Sequence, residues 1–268
     1  MTGIWGILNI TPDSFSDGGR YLDRDTALAH ARMLRAHGAT VIDVGGESTR
    51  PGSTRVSVTE EQARVLPVIE ALAADGIPIS VDTLNADTAV AAARAGARIV
   101  NDVSGGLADE RMLRAVAPTG ADIAIGHWRG PSDDMYAKAQ YRRVAREVAS
   151  ELRGRVEAAA AAGIAPSRII LDPGIGFAKS GEQNWEVLRG LDEITALGLR
   201  VLVGTSRKRF LADALADAAP EVTEQRRDLG TAVTSALAAR AGVWAVRVHD
   251  VAGTRDALRV LDAWDGDR

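Results

Sequence analysis

The stretch ADTAVAAARAGARIVNDVSGG, residues 86–106, holds one complete copy of the pattern that decides the fold. Its alanine-rich first half, residues 86–95, has the spacing of an amphipathic helix. Gly96 follows and suits the left-handed backbone that often ends a helix. Residues 98–104 are rich in β-branched side chains, which predicts a strand. The strand runs out into polar residues, so one helix–glycine–strand unit leads directly into a polar loop.

The same unit recurs along the whole chain. We predict strands at residues 4–10, 40–46, 77–83, 98–104, 122–128, 168–174, 200–206 and 244–250. We predict helices at residues 24–37, 59–75, 86–95, 109–118, 137–163, 182–197, 227–241 and 253–264. A glycine stands between a helical stretch and the next strand at positions 38, 76, 96, 163, 198 and 242.

Eight β-then-α units in about 250 residues match the length and order of a (β/α)8 TIM barrel. We therefore predict an α/β fold, with one such barrel as a single domain over residues 1–268. An open doubly wound sheet is the alternative. That fold usually has fewer repeats at this length, and no dinucleotide fingerprint follows the first predicted strand.

Composition excludes several classes of function. The formal net charge is −4, which makes nucleic acid and anionic membrane poor candidates for a main partner. The sequence has no cysteine, so disulfides, thiol catalysis and thiolate metal sites are excluded. No apolar run approaches the roughly 20 residues that a membrane span needs, and the first residues lack the pattern of a signal peptide. We expect a cytoplasmic protein with no nucleic-acid or membrane partner.

Polar side chains follow every predicted strand, and in a (β/α)8 barrel the active site forms at these carboxyl ends. Any one of them could be a helix cap, but eight converging ends are hard to explain in that way. Hydrogen-bond acceptors that suit a flat heterocycle with several N–H groups are Asp82, Asn101 and Asp172. Donors that suit phosphate or carboxylate are Lys208, Arg247, His249 and Arg50. Asn9 offers an amide oxygen to Mg²⁺ bridging a diphosphate. The residues thus indicate a polar heterocycle joined to phosphate.

Seven stretches resemble the dihydropteroate synthase family, and the likeness covers nearly the whole chain. They are GILNITPDSFSDGG, VIDVGGESTRPG, ISVDT, VNDVSGG, ILDPGIGFAK, LVGTSRK and VRVHDV. The first two are long, and their combination is specific. The resemblance implies a transferase of folate biosynthesis that joins p-aminobenzoate to dihydropterin-methyl diphosphate and releases diphosphate. It also implies a homodimer formed through the last helices.

The resemblance assigns roles to these residues. The implied pterin pocket consists of Asp82, Asn101, Asp172 and Lys208, with Phe177 as one wall. The implied diphosphate pocket consists of Asn9, Thr49, Arg247 and His249, with Mg²⁺ at Asn9. Residues 10–19 and 47–52 are similar to two family loops that close over bound substrate. In these loops Asp17 and Arg50 would pair, while Phe15 and Pro51 would wall the aminobenzoate ring. Asp17, Arg50 and Lys208 are the predicted catalytic residues.

Closure of the two loops would exclude water, which would otherwise capture the activated pterin-methyl group. The carbon–oxygen bond is expected to break early and leave a resonance-stabilised cation. The protein would then act by positioning and charge stabilisation, without an important general base.

The sequence departs from the family pattern at two positions. Gly126 stands where a methionine often precedes the histidine of the fifth strand. Its lack of a side chain is expected to loosen the pterin pocket or to shift the ring, unless Trp128 compensates. Arg209 stands where a serine is frequent. Its charge either strengthens the hold on the aminobenzoate carboxylate or points into solvent. His127 is expected to be structural. Residues 130–140 and 215–228 are expected to be solvated surface.

Two other functions stay open. A pterin-dependent methyltransferase would share the barrel and the acidic pterin contacts, but is not expected to carry both loop motifs together with the SRK stretch. A non-catalytic pterin-binding paralogue would keep the fold and lose turnover. Such copies tend to lose the loop, SRK or RVHD residues, all of which are present here.

Overall fold

The structure, a computed structural model, describes residues 2–10, 20–47, 56–130, 139–216 and 222–266. Its strands are β1 (Gly3–Asn9), β2 (Val41–Gly45), β3 (Ile79–Asp82), β4 (Ile99–Asp102), β5 (Asp122–Gly126), β6 (Ile169–Asp172), β7 (Arg200–Val203) and β8 (Ala245–Val248). Its helices are α1 (Arg20–His37), α2 (Val58–Ala74), α3 (Ala86–Arg94), α4 (Met112–Val116), α5 (Val144–Ala161), α6 (Gly181–Arg189), α7 (Asp192–Thr195), α8 (Arg209–Leu215), α9 (Glu224–Arg240) and α10 (Val251–Asp265).

The eight strands form a closed parallel barrel in sequence order. The pairing of β1 with β8, in which Gly3 lies opposite Ala245 and Gly6 opposite Val248, closes it. The predicted (β/α)8 TIM barrel is therefore confirmed. The extent of the single domain, residues 1–268, stays a prediction. Among the described residues no helix is both long enough and apolar enough to cross a membrane.

Besides small shifts of their ends, the helices deviate from the sequence prediction in three places. The helix predicted over residues 137–163 begins only at Val144, as α5. The stretch predicted as one helix over residues 182–197 is two helices, because α6 ends where Gly190 packs closely on α5. A Cβ at Gly190 would lie 2.6 Å from Ala145 Cβ. The short helix α8 was not predicted. The six glycines expected to end helices all have positive φ, between +70° and +114°.

The barrel interior has an apolar floor below a polar rim. The floor residues are Trp5, Val41, Ile99, Ala124, Ile170, Leu202 and Ala245. Side chains two positions apart on a strand face the same side. The residues two positions after these floor residues therefore also point into the barrel, nearer its carboxyl end: Ile7, Asp43, Asn101, Gly126, Asp172, Gly204 and Arg247. This alternation places the site on top of the floor.

Candidate active site

An arginine between two carboxylates links three strands at the rim of the barrel. Arg247 Nε donates to Asp43 Oδ2 at 2.5 Å, and Arg247 Nη2 donates to Asp82 Oδ2 at 2.8 Å. Asn101 Nδ2 also donates to Asp43 Oδ2, at 3.1 Å. Asp43 is fully buried and Asp82 is 8% exposed. The structure thus brings together three predicted site residues, and it adds Asp43, for which no role was predicted.

Asn9 lies beside this cluster. A methyl group placed on Gly45 would lie 3.7 Å from Asn9 Oδ1 and 3.9 Å from Asp82 Oδ2. The residue predicted to bind the metal therefore shares one side of the rim with the carboxylate predicted to bind the pterin. The described residues contain no group of three or more His, Cys, Asp or Glu side chains arranged to hold a metal ion.

A second cluster forms where β6 and β7 end. Asp172 Oδ1 accepts a hydrogen bond from Gly174 N at 2.7 Å. Lys208 Nζ lies 4.9 Å from the centre of the Phe177 ring and donates to the carbonyl oxygen of Ile175. Phe177 remains partly exposed. Asp172, Phe177 and Lys208, three predicted pterin-pocket residues, therefore lie in one group.

Burial shifts the acid–base properties of both clusters. It raises the pKa of Asp82 to about 7, against the opposing charge of Arg247 and with further repulsion from Asp43. It also raises the pKa of Asp172, which the positive charge of Lys208 opposes. Burial lowers the pKa of Lys208 to about 8, with Asp172 acting in the opposite direction. The rim therefore holds a carboxyl group and an amine that both titrate near neutrality.

His249 and the loop before Lys208 are fixed to one another. His249 N donates to Ser206 Oγ at 3.0 Å, and Ser206 Oγ also lies 2.8 Å from His249 Nδ1, within hydrogen-bond distance. The orientation of the ring is thus set from the SRK stretch.

An ion pair that was not predicted fixes the side chain of Arg207, the middle residue of the SRK stretch. Arg207 has φ +56°, which is rare for a residue with a side chain. Its guanidinium makes two hydrogen bonds of 2.8 Å to the carboxylate of Asp228 on α9. The side chain of Asp228 is only 14% exposed. The expectation that residues 215–228 form a solvated surface is therefore wrong for Asp228.

Five predicted site residues lie outside the described part of the chain. They are Phe15, Asp17, Thr49, Arg50 and Pro51. Their roles stay predictions. Arg209 is described, and its side chain is 91% exposed, which favours the solvent alternative.

The structure explains why position 126 carries a glycine. A Cβ at this position would lie 2.3 Å from the carbonyl oxygen of Val103 and 2.6 Å from Val103 Cα. The backbone that follows β4 therefore occupies the space that a side chain would need. The pocket at this point is walled by main chain rather than left open.

Comparison with known proteins places the chain among pterin enzymes. The profile of the family described as pterin binding enzyme matches residues 5–249. The dihydropteroate synthase of Mycobacterium leprae is 51% identical over 261 residues, which cover 97% of this chain and 92% of that protein. Dihydropteroate synthase of Xanthomonas albilineans with 4-aminobenzoic acid has a TM-score of 0.90 and 42% identity, covering 98% and 93% of the two chains. Its structure in complex with 7,8-dihydropteroate has a TM-score of 0.87 and 39% identity, covering 98% and 94%.

Replacing Gly126 by alanine is expected to destabilise the fold by about 1–3 kcal/mol, because the new methyl group would overlap the Val103 backbone. Gly154→Ala on α5 is the matched control. No atom lies within 4 Å of a Cβ at Gly154, and alanine favours a helix by roughly 0.5–1 kcal/mol. Chemical unfolding of the two variants measures the difference. Equal effects of the two substitutions would show that Val103 does not restrict Gly126.

Replacing Asp82 by asparagine is expected to change how stability depends on pH. The folded-state pKa of Asp82, about 7, lies above the value of about 3.9 for a free aspartate. The contribution of this carboxyl to stability is therefore full below about pH 4 and is lost as the pH rises through about 7. Wild type should lose stability relative to Asp82→Asn over this range, on the order of a few kcal/mol. Unfolding measured across the range would contradict the shift if the two curves stayed parallel.

Proposed function

Because this chain belongs to the dihydropteroate synthase family, we propose that it joins p-aminobenzoate to dihydropterin-methyl diphosphate in folate biosynthesis. The products of this transferase reaction are dihydropteroate and diphosphate. The observation that carries the proposal is the pair of clusters at one rim, which sets carboxylate and amide acceptors beside a lysine and an aromatic ring.

The acceptor side suits a pterin ring. A pterin presents an exocyclic amine and an adjacent ring N–H, and a carboxylate accepts two parallel N–H bonds. We assign this pairing to Asp172, and further contacts to Asp82 and Asn101. Lys208 would donate to the pterin carbonyl or to a ring nitrogen, and Phe177 would pack against the ring. Support comes from the position of the Lys208 ammonium over the Phe177 ring, next to Asp172.

The donor side suits the diphosphate. Arg247 and His249 lie at the end of β8, and we assign them to the diphosphate together with Thr49. Mg²⁺ prefers oxygen ligands and is commonly held by one or two protein oxygens plus substrate phosphates. Asn9 fits this mode with its amide oxygen, which lies on the same side of the rim as Asp82. When bound, the ion would neutralise charge on the leaving diphosphate.

The two family loops complete the proposed site. Asp17 and Arg50 would pair when the loops close, and Phe15 and Pro51 would wall the aminobenzoate ring. In the reaction the amine nitrogen of p-aminobenzoate bonds to the pterin methylene carbon, the carbon–oxygen bond to diphosphate breaks, and the amine proton passes to solvent. The neutral arylamine needs no strong base. The protein therefore acts by positioning the reactants, excluding water and stabilising charge.

Turnover by the purified chain tests the proposal. We expect Mg²⁺-dependent formation of dihydropteroate with release of diphosphate. Asp172→Asn should lower kcat/KM by about 10- to 100-fold, since it removes a charge-assisted pair of hydrogen bonds. Asp192→Asn is the control, because Asp192 is an exposed carboxylate at the start of α7. It should leave kcat/KM unchanged.

Other outcomes would favour the other functions. Binding of the pterin substrate without product would indicate a non-catalytic paralogue. Methyl transfer from methyltetrahydrofolate to a corrinoid, without dihydropteroate, would indicate a pterin-dependent methyltransferase. A cytoplasmic location stays a prediction.

An apolar face on the last two helices supports a homodimer. Of the eight exposed large hydrophobic side chains in the described part of the chain, five lie on α9 and α10. They are Leu229, Val233, Leu237, Val260 and Trp264, each more than half exposed. The three on α9 are spaced four residues apart and therefore form one stripe. A contiguous apolar patch of this kind is typical of a protein interface.

Leu237→Glu is expected to shift the protein from dimer to monomer, because it would place an unpaired charge in the apolar interface. Sedimentation or light scattering measures the mass. Leu107→Glu is the matched control, since Leu107 is 46% exposed in the loop after β4 and lies on neither helix. A monomeric wild type, or a dimer that both substitutions leave intact, would refute this interface.

A further inference from the structure

The loop after β6 has three residues with positive φ, and one of them, Ala178, is not glycine. Gly174 has φ +65°, Gly176 has φ +82° and Ala178 has φ +49°. The left-handed region is unfavourable for a residue with a side chain, so Ala178 stays there only if its surroundings hold it. We call residues 174–178 the β6 loop. Its conformation must therefore be stabilised by contacts from outside the loop.

A buried lysine supplies these contacts. Lys179 is 1% exposed, and its ammonium has three partners. It donates to the carbonyl oxygen of Gly174 at 2.9 Å, to that of Phe177 at 3.0 Å, and to His127 Nδ1 at 3.0 Å. An ammonium has three N–H donors, so every one of them is used. Lys179 thus ties both ends of the β6 loop to the end of β5.

Burial lowers the pKa of Lys179 to about 7, the charge of Asp172 opposes this shift, and His127 links the amine to Glu151. Because Nδ1 of His127 accepts from Lys179, the ring proton lies on Nε2, which is 3.0 Å from Glu151 Oε2. Burial and the nearby lysine lower the pKa of His127 to about 4, so the ring is neutral. Burial disfavours the charge of Glu151, but hydrogen bonds from His127 and Arg129 lower its pKa to about 2. The network therefore runs from Lys179 through the His127 ring to Glu151 on α5.

The β6 loop in turn holds two proposed pterin-binding groups. Phe177 is part of the loop, and the Lys208 ammonium sits 4.9 Å from the centre of its ring. A Cβ at Gly176 would lie 2.9 Å from Lys208 Cδ, so the lysine stem runs directly over the loop. Any movement of the loop would shift both the ring and the ammonium.

Lysine is rare in this chain. Of its 32 basic residues only three are lysines, at positions 138, 179 and 208. The two in the described part of the chain both donate to carbonyl oxygens of the β6 loop. A planar guanidinium presents its donors in one plane, whereas an ammonium reaches acceptors that surround a point. The three acceptors around Lys179 therefore suit an ammonium better than a guanidinium.

We propose that Lys179 is a positioning residue: its ammonium fixes the β6 loop and so holds Phe177 in place for the pterin. This inference rests on the proposed function, because it requires that the site bind a pterin. Lys179 itself would not touch the substrate. Its effect should therefore depend on Phe177.

A double-mutant cycle tests this dependence. The probe is dihydropterin-methyl diphosphate, and its affinity is measured by calorimetry for wild type, Lys179→Met, Phe177→Ala and the double variant. We expect Lys179→Met to weaken binding about tenfold in the wild-type background and less than about threefold in the Phe177→Ala background. The KM for p-aminobenzoate should stay within about twofold for Lys179→Met. A general loss of folded structure would not produce this pattern, since it would act equally in both backgrounds.

His127→Leu provides a second route if Lys179→Met does not fold. It keeps the lysine and removes one of its three acceptors. We expect a loss of about threefold that likewise disappears in the Phe177→Ala background. Equal losses in both backgrounds, or no loss at all, would overturn the positioning role. Failure of the wild-type protein to bind the pterin would instead refute the proposed function, and the inference with it.

Discussion

Closure of the barrel by the pairing of β1 with β8 is the constraint on which the site depends. It brings Arg247, near the end of the chain, to Asp43, which lies 204 positions earlier. The guanidinium then stands between two carboxylates that would otherwise repel each other in a poorly hydrated interior. Removing the guanidinium would leave these buried carboxylates uncompensated, which is strongly destabilising. Arg247 therefore makes the burial of Asp43 and Asp82 at one rim possible.

The fold could be predicted because two local signals repeat along the chain. β-Branched runs mark the strands, and glycines mark the helix ends, where the backbone has positive φ. The signals fail where an element is short. The helix α8 spans Arg209–Leu215, which is too few residues to show a helical period. The break between α6 and α7 comes from the packing of Gly190 on Ala145, a contact between distant residues that no local pattern reveals.

The site could be predicted in part, because polar residues at strand ends must share one rim of a parallel barrel. Asp82, Asn101 and Arg247 do meet in one cluster, and Asp172, Phe177 and Lys208 in another. Their roles toward substrate stay predictions. Asp43 had a visible signal, a carboxylate inside the apolar strand VIDVG, but its partner lies across the barrel. Lys179 had no such signal, because its importance comes from three acceptors that only the folded loop brings together.

The helix α9 has two faces with different contacts. On its outer side it carries the apolar stripe, and on its inner side Asp228 grips the strained Arg207 immediately before Lys208. A close-packed helix transmits displacement across its width, since the interior offers little room for adjustment. In two copies joined along this helix, α9 would contact both the partner copy and Arg207, which precedes Lys208. A change in the contact between subunits would then alter the ligand pocket, and a bound ligand would alter the contact between subunits.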